Sequence, residues 1–182
     1  MSDPCQMEIA LHTGGRDCHR QEAEDVFEKN MKYACILNCY MKRHSNLYLL
    51  AHQNGLVGSE ELRLSVSESL EYVRMYGVKA RLFCCGETVL PGKMLLLAYE
   101  VFDDVLEAGF FCVNAMIVWL NIDGGRLVLQ MEQNVAKEIP FSCKLAEKID
   151  AVGGTFSKER EGQTEYLFLM LPTGGEAQDA LL

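Results

Sequence analysis

Residues 59–85 read SEELRLSVSESLEYVRMYGVKARLFCC, and the fold turns on a change of period inside this stretch. Leu62, Val66, Leu70 and Val73 fall on one side of a helix. Ser59 stands where an N-cap would, and Glu60 and Glu61 follow in the first turn, where the helix dipole favours acids. Gly77 is a natural left-handed stop. From Val78 the spacing drops to two: Val78, Ala80, Leu82 and Cys84 alternate with Lys79, Arg81, Phe83 and Cys85, the pattern of a half-exposed strand.

Upstream, Arg20 to about Gln53 holds neither Gly nor Pro, and Val26, Tyr33, Leu37, Tyr40, His44, Leu47 and Ala51 recur at helical spacing. Asn54-Gly55 and Gly58 break this helix, so residues 21–77 are expected to form an antiparallel helical hairpin of the kind that pairs with a second copy in a four-helix bundle. Residues 1–20 carry Pro, Gly and Asp without a period and read as a loose leader with a short strand at Met7–Leu11. Downstream, Leu90-Pro91-Gly92 opens a helix reaching Ala108, and Asp123-Gly124-Gly125 joins two strand-like runs, Cys112–Asp123 and Arg126–Gln133. A helix over Ser142–Ala151 stops at Gly153-Gly154, and two strands, Thr155–Glu159 and Glu165–Leu171, flank Glu161-Gly162. Residues 78–172 therefore predict a two-layer α/β sandwich, a mixed sheet with helices on one face, and residues 173–182 a flexible tail.

Composition narrows the function. The chain has 182 residues, is 49% hydrophobic and carries a net charge of −9, which disfavours nucleic acid or anionic lipid as a partner. Met1-Ser2-Asp3-Pro4 lacks the pattern of a secretory signal, and the longest apolar run, Phe110–Leu120, falls short of a bilayer span. A cytoplasmic protein with no membrane segment is expected. Its eight cysteines then read as reduced, buried core residues, since no CxxC pair offers metal-ligand spacing.

The order of elements, with Leu62–Gly77, Ala151-Val152-Gly153-Gly154-Thr155 and the closing Gly162-Gln163-Thr164-Glu165-Tyr166-Leu167-Phe168-Leu169-Met170-Leu171-Pro172, resembles sensor histidine kinases. The resemblance implies a dimerisation and phosphoacceptor hairpin followed by a Bergerat-fold (GHKL) ATPase-like domain. On the helix of residues 99–107, Glu100 takes the place of the family's polarising Glu, and Asp104 that of its Asn ligand to the magnesium held by ATP. These two share one helix face. Read from residues alone, without the resemblance, Glu100, Asp104 and Glu107 are a solvated acidic helix face.

The family's adenine box is matched by Glu132-Gln133-Asn134-Val135-Ala136, with both glycines gone, which implies Glu132 and Asn134 at the nucleotide; Gly162 and Thr164 match its last box. The phosphate-wrapping lid is absent, because Lys137–Phe141 contains no glycine. Among the histidines, His44, beside Lys42 and Arg43, is the expected phosphoacceptor, and His52 near the helix end has a capping role. The resemblance thus implies a homodimeric two-component signalling protein using ATP and Mg²⁺, passing phosphoryl groups from ATP to His44 and on to a response regulator, with this ATP-dependent transfer weakened or lost. One alternative is a non-catalytic dimeric module that docks a response regulator or phosphotransfer partner. An anti-sigma-type serine kinase fits less well, since it needs the same glycines.

Overall fold

The computed structural model describes residues 4–123 and 125–173, with side chains from residue 20 onward. The order of elements is α1 (Pro4–Asn54), β1 (Leu56–Gly58), α2 (Glu60–Met75), β2 (Lys79–Cys85), β3 (Val89–Pro91), α3 (Gly92–Gly109), β4 (Val113–Asp123), β5 (Arg126–Val135), α4 (Cys143–Ala151), β6 (Thr155–Glu161) and β7 (Thr164–Pro172). It is an α/β fold with a long N-terminal helix ahead of a mixed sheet. By contact the chain divides into two units, Met1–Leu37 and Asn38–Leu182.

The described residues of the first unit are helix, with α1 running back to Pro4, in place of the loose leader and the short strand at Met7–Leu11. Its described part supports itself locally through pairs one turn apart, Arg20 with Glu24, Gln21 with Asp25 and Glu28 with Lys32.

In the second unit, the end of α1 and α2 make the contacts of an antiparallel hairpin: Cys39 Sγ lies 3.9 Å from Ser69 Oγ, and Arg43 pairs with Glu68. Leu47 and Ala51 are buried, as are Leu62, Val66, Leu70 and Val73 of α2. Gly55, at φ 66°, turns the chain out of α1. The link that follows is a strand, because β1 pairs antiparallel with β3 (Val57 opposite Leu90). Ser59 stands at the N-cap position, as expected, but its side chain makes no capping bond to α2. Its N–H donates to the Thr88 carbonyl and its hydroxyl accepts from the Thr88 N–H, which fastens the start of α2 to the chain before β3. Gly77 ends α2 as expected, at φ 89°, with its N–H donating to Arg74 O.

The five-stranded sheet has the order β2-β4-β5-β7-β6. Only β2–β4 is parallel, and the other pairs are antiparallel. Buried rows cross it in register, Val118–Met131–Leu167 and Leu120–Leu129–Leu169, and α2, α3 and α4 cover this face. The central helix α3 is buried on most sides through Met94, Leu95, Ala98, Tyr99, Phe102 and Leu106, because it lies between the sheet and the helical hairpin. Gly92 lets it start there, since a Cβ at that position would strike Ala51. No helix of the second unit packs on the opposite sheet face, which carries Phe83, Trp119, Tyr166 and Phe168.

The cysteines correct the composition argument. Of the six with described side chains, only Cys39 is buried; Cys84 and Cys85 are exposed on β2 at the sheet edge, and Cys143 is exposed at the start of α4. The side chains of Cys5 and Cys18 lie outside the described residues, as does the tail from residue 174.

Candidate functional site

The charged residues of α3 sit where its apolar surface gives out. Spacings of three and four put Glu100, Asp103, Asp104 and Glu107 on one flank, and the second unit closes around that flank from both sides. α1 contributes Tyr40, and α4 contributes Lys144, Leu145 and Lys148 with Ser142 at its head. Together they line a cleft of about 290 Å³.

Two residues chosen from sequence as catalytic meet at its edge. His44 Nε2 lies 3.1 Å from Glu100 Oε1. A carboxylate only accepts, so Nε2 carries the proton and donates it. The other Glu100 oxygen accepts from Lys148 Nζ at 2.7 Å, so the carboxylate is held between imidazole and ammonium. No hydrogen bond reaches His44 Nδ1 among the described residues, and the ring packs 5.2 Å from that of Tyr40. His52 is instead engaged with its own helix: its Nδ1–H donates to Tyr48 O at 2.9 Å, one turn back, and its ring stacks on Tyr48.

Asp104 Oδ2 accepts the Ser142 N–H at 3.3 Å, tying α3 to the head of α4. Burial raises its pKa, that N–H opposes the rise, and Glu107 adds to it. Asp103 is the extreme case. It is 5% exposed and lines the cleft, yet no hydrogen bond or ion pair reaches its carboxyl among the described residues. Burial first, then the charges of Glu107 and Asp104, push its pKa up to about 7. Tyr40, half-buried beside the four carboxyls, is pushed up to about 12 by burial and then by their charges. Tyr99 beneath it is raised by burial against the pull of its bond to Ser69.

The other residues chosen from sequence lie elsewhere. On β5, Leu127, Leu129, Met131, Gln133 and Val135 face the helices, so Glu132 and Asn134 face the opposite side of the sheet. Asn134 pairs in register with Thr164, and Gly162, at φ 61°, forms the β6–β7 turn beyond it. His44, Glu100 and Asp104 are thus brought together, while Glu132, Asn134 and Thr164 form a second group across the sheet.

The inward position beside Glu132 belongs to Gln133, opposite Glu165 of β7, and both are 0% exposed. Glu165 Oε1 accepts from Ile139 N–H at 3.1 Å and faces Lys158 and Arg160 at 3.5 and 3.8 Å. Its Oε2 and both amide atoms of Gln133 have no hydrogen-bond partner among the described residues. This buried group pins down the connection between β5 and α4. Ile139 is buried against Gly109, whose Cβ would strike it, and Phe141 stacks 3.9 Å from Phe156. A polar residue at an inward position of an otherwise apolar alternation was the signal for both Gln133 and Glu165. The Lys144–Lys148 spacing pointed likewise to a basic stripe on α4. Among the described residues no three His, Cys, Asp or Glu converge on a metal-sized point, and no helix is long and apolar enough to cross a membrane.

No family model matches the chain, and no curated protein matches it in sequence. Solved structures do. The histidine kinase domain of the blue-light activated histidine kinase from Erythrobacter litoralis superposes with a TM-score of 0.55 at 13% identity, over 74% of this chain and 79% of that one. The nucleotide-free catalytic domain of the histidine kinase ThkA gives 0.51 at 10% identity, over 68% of this chain and 99% of that domain. The histidine kinase AdeS of Acinetobacter baumannii gives 0.51 at 11% identity, over 96% of this chain and 87% of its own. At these identities the likeness is one of fold.

Proposed function

We propose that this chain, which carries the fold of histidine kinase catalytic (GHKL) domains, is an ATP-independent phosphotransfer protein of two-component signalling, with His44 as its phosphoryl carrier. The observation that carries the reading is the His44–Glu100–Lys148 chain: a part-exposed imidazole with its Nε2–H bonded to a fixed carboxylate and its Nδ1 unbonded. Nδ1 is then the nucleophile. Facing an aspartyl phosphate on a response regulator, its lone pair attacks phosphorus in line, the P–O bond to the Asp breaks, and the carboxylate departs with that electron pair. The positive charge that builds on the ring is met by Glu100 through the Nε2–H bond. Lys148 keeps Glu100 in place, as outer partners orient a working group.

The residues present do not fit Mg-ATP. In the space beside α3 where phosphates would approach, four carboxyls outnumber two lysines, one of which, Lys148, is already bound by Glu100. Ile139 and Phe141 of the glycine-free connection are packed down rather than offering backbone N–H groups. Glu132 and Asn134 face away from the helices. A homodimer through the helical hairpin fits the apolar side chains it exposes, Met41, Tyr48 and Leu49 on α1 with Leu64, Tyr72 and Met75 on α2.

Phosphoramidate, a small-molecule donor to histidine, tests the reading directly. A single acid-labile phosphohistidine is expected by ³¹P NMR in the wild type and none in His44→Gln, with no label from [γ-³²P]ATP and no thermal shift at millimolar Mg-ATP. Label transferred from ATP to His44 would restore the kinase reading. Phosphohistidine persisting in His44→Gln would remove His44 as the carrier.

A further inference from the structure

The cleft between α3 and α4 holds a group that the phosphotransfer chemistry leaves unused. Asp103 is nine-tenths buried, lines the cleft and has no hydrogen-bond or ion-pair partner among the described residues. Around it the charge is unbalanced. Of the cleft's four carboxyls, Glu100 is engaged by Lys148 and Asp104 by the Ser142 N–H, which leaves Asp103 without a counter-charge. A carboxyl kept in such a place against its desolvation cost is suited to a cation that arrives from outside.

We propose that this cleft is a binding site for a guanidinium group, held by the Asp103 carboxylate and the Tyr40 ring. Three properties favour guanidinium over other cations. The described residues offer no three converging ligands, so a divalent metal would lack a shell. A guanidinium is less strongly hydrated than an ammonium and enters a half-dry cleft at lower cost. It also presents paired N–H groups to one carboxylate, and its flat face stacks on an aromatic ring, and here Asp103 and Tyr40 line the same cleft. The guanidinium could belong to a free small molecule or to an Arg side chain of a docked protein.

Occupancy depends on pH through Asp103, whose surroundings are Tyr40 with Cys39 and Arg43 behind it on α1, Tyr99, Glu100, Asp104 and Glu107 on α3, and Lys144 and Lys148 on α4. Its ionised form binds, so affinity rises from pH 6 to pH 8.

Calorimetric titration of the full chain with agmatine and with N-acetyl-arginine-N-methylamide, whose two amide caps mimic a peptide, tests this. Binding is expected at pH 8, weakened about tenfold to a hundredfold in Asp103→Asn and reduced in Tyr40→Leu, with circular dichroism verifying that both variants fold. Agmatine bound in preference to the capped arginine assigns the site to a free small cation; the reverse assigns it to a partner's Arg. Neither probe binding at ten millimolar, affinity unchanged in Asp103→Asn, or Mg²⁺ binding as tightly as agmatine would overturn the proposal.

Discussion

Asp103→Asn tests how much an unpartnered carboxyl costs the fold. In the unfolded chain Asp103 titrates near its ordinary 3.8, while in the folded chain it titrates near 7. Between those values the native state binds the proton and the unfolded state has released it, so stability falls as pH rises from about 4 to about 7 and stays low above that. At about 1.4 kcal/mol per pH unit, the gap amounts to about 4 kcal/mol at most, and relaxation around the site brings the expected loss to about 2–4 kcal/mol. An Asn occupies the same volume without the charge. The variant is therefore expected to be more stable than the wild type by about 2–4 kcal/mol at pH 8 and nearly equal to it at pH 3, with the difference growing through pH 4–7. Urea unfolding of both proteins at half-unit steps of pH, followed by far-UV circular dichroism, measures this. A difference that stays constant with pH would refute the reasoning, since only a titrating Asp103 makes it pH-dependent.

Three further outcomes are expected. Gln133→Met replaces two unpaired buried amide atoms by an apolar chain of similar length and should stabilise the fold by about 1–3 kcal/mol in urea. Glu165→Ala strips Ile139 N–H of its acceptor and Lys158 and Arg160 of a buried counter-charge. It should cost about 3–5 kcal/mol and open the connection around Lys137 to trypsin, as limited proteolysis would register. Gly86→Ala should lower the melting temperature through a loss of about 2–4 kcal/mol, because Gly86 sits at φ 83° and a Cβ there meets the carbonyl of Ile122.

The β-hairpins and α3 were legible because their signals are local. Asp123-Gly124-Gly125 fixes a turn, and the register Asp123 opposite Arg126 follows from it. β1 and β3 were not legible: at three residues each they are too short for a period to show, and they exist only because distant segments pair. The side-chain role of Ser59 was misread for a related reason. A serine ahead of two glutamates satisfies the N-cap pattern, but its hydroxyl is claimed by Thr88, brought alongside by that same pairing. The leader was misread because its Gly and Pro were given more weight than the helix formers between them.

In the site, the helical register of Glu100 and Asp104 could be read directly from their spacing, and so could the position of His44 on α1. Which strand face Glu132 occupies could also have been counted from Leu127, Leu129 and Met131, since side chains alternate strictly. What spacing could not supply is the meeting of His44 with Glu100, 56 residues apart, or the solitude of Asp103. Periodicity fixes which way a side chain leaves its own backbone. Only the packing of α1, α3 and α4 in the second unit decides which side chains then find partners, and which carboxyl, largely withdrawn from water in the cleft, is left with none among the described residues.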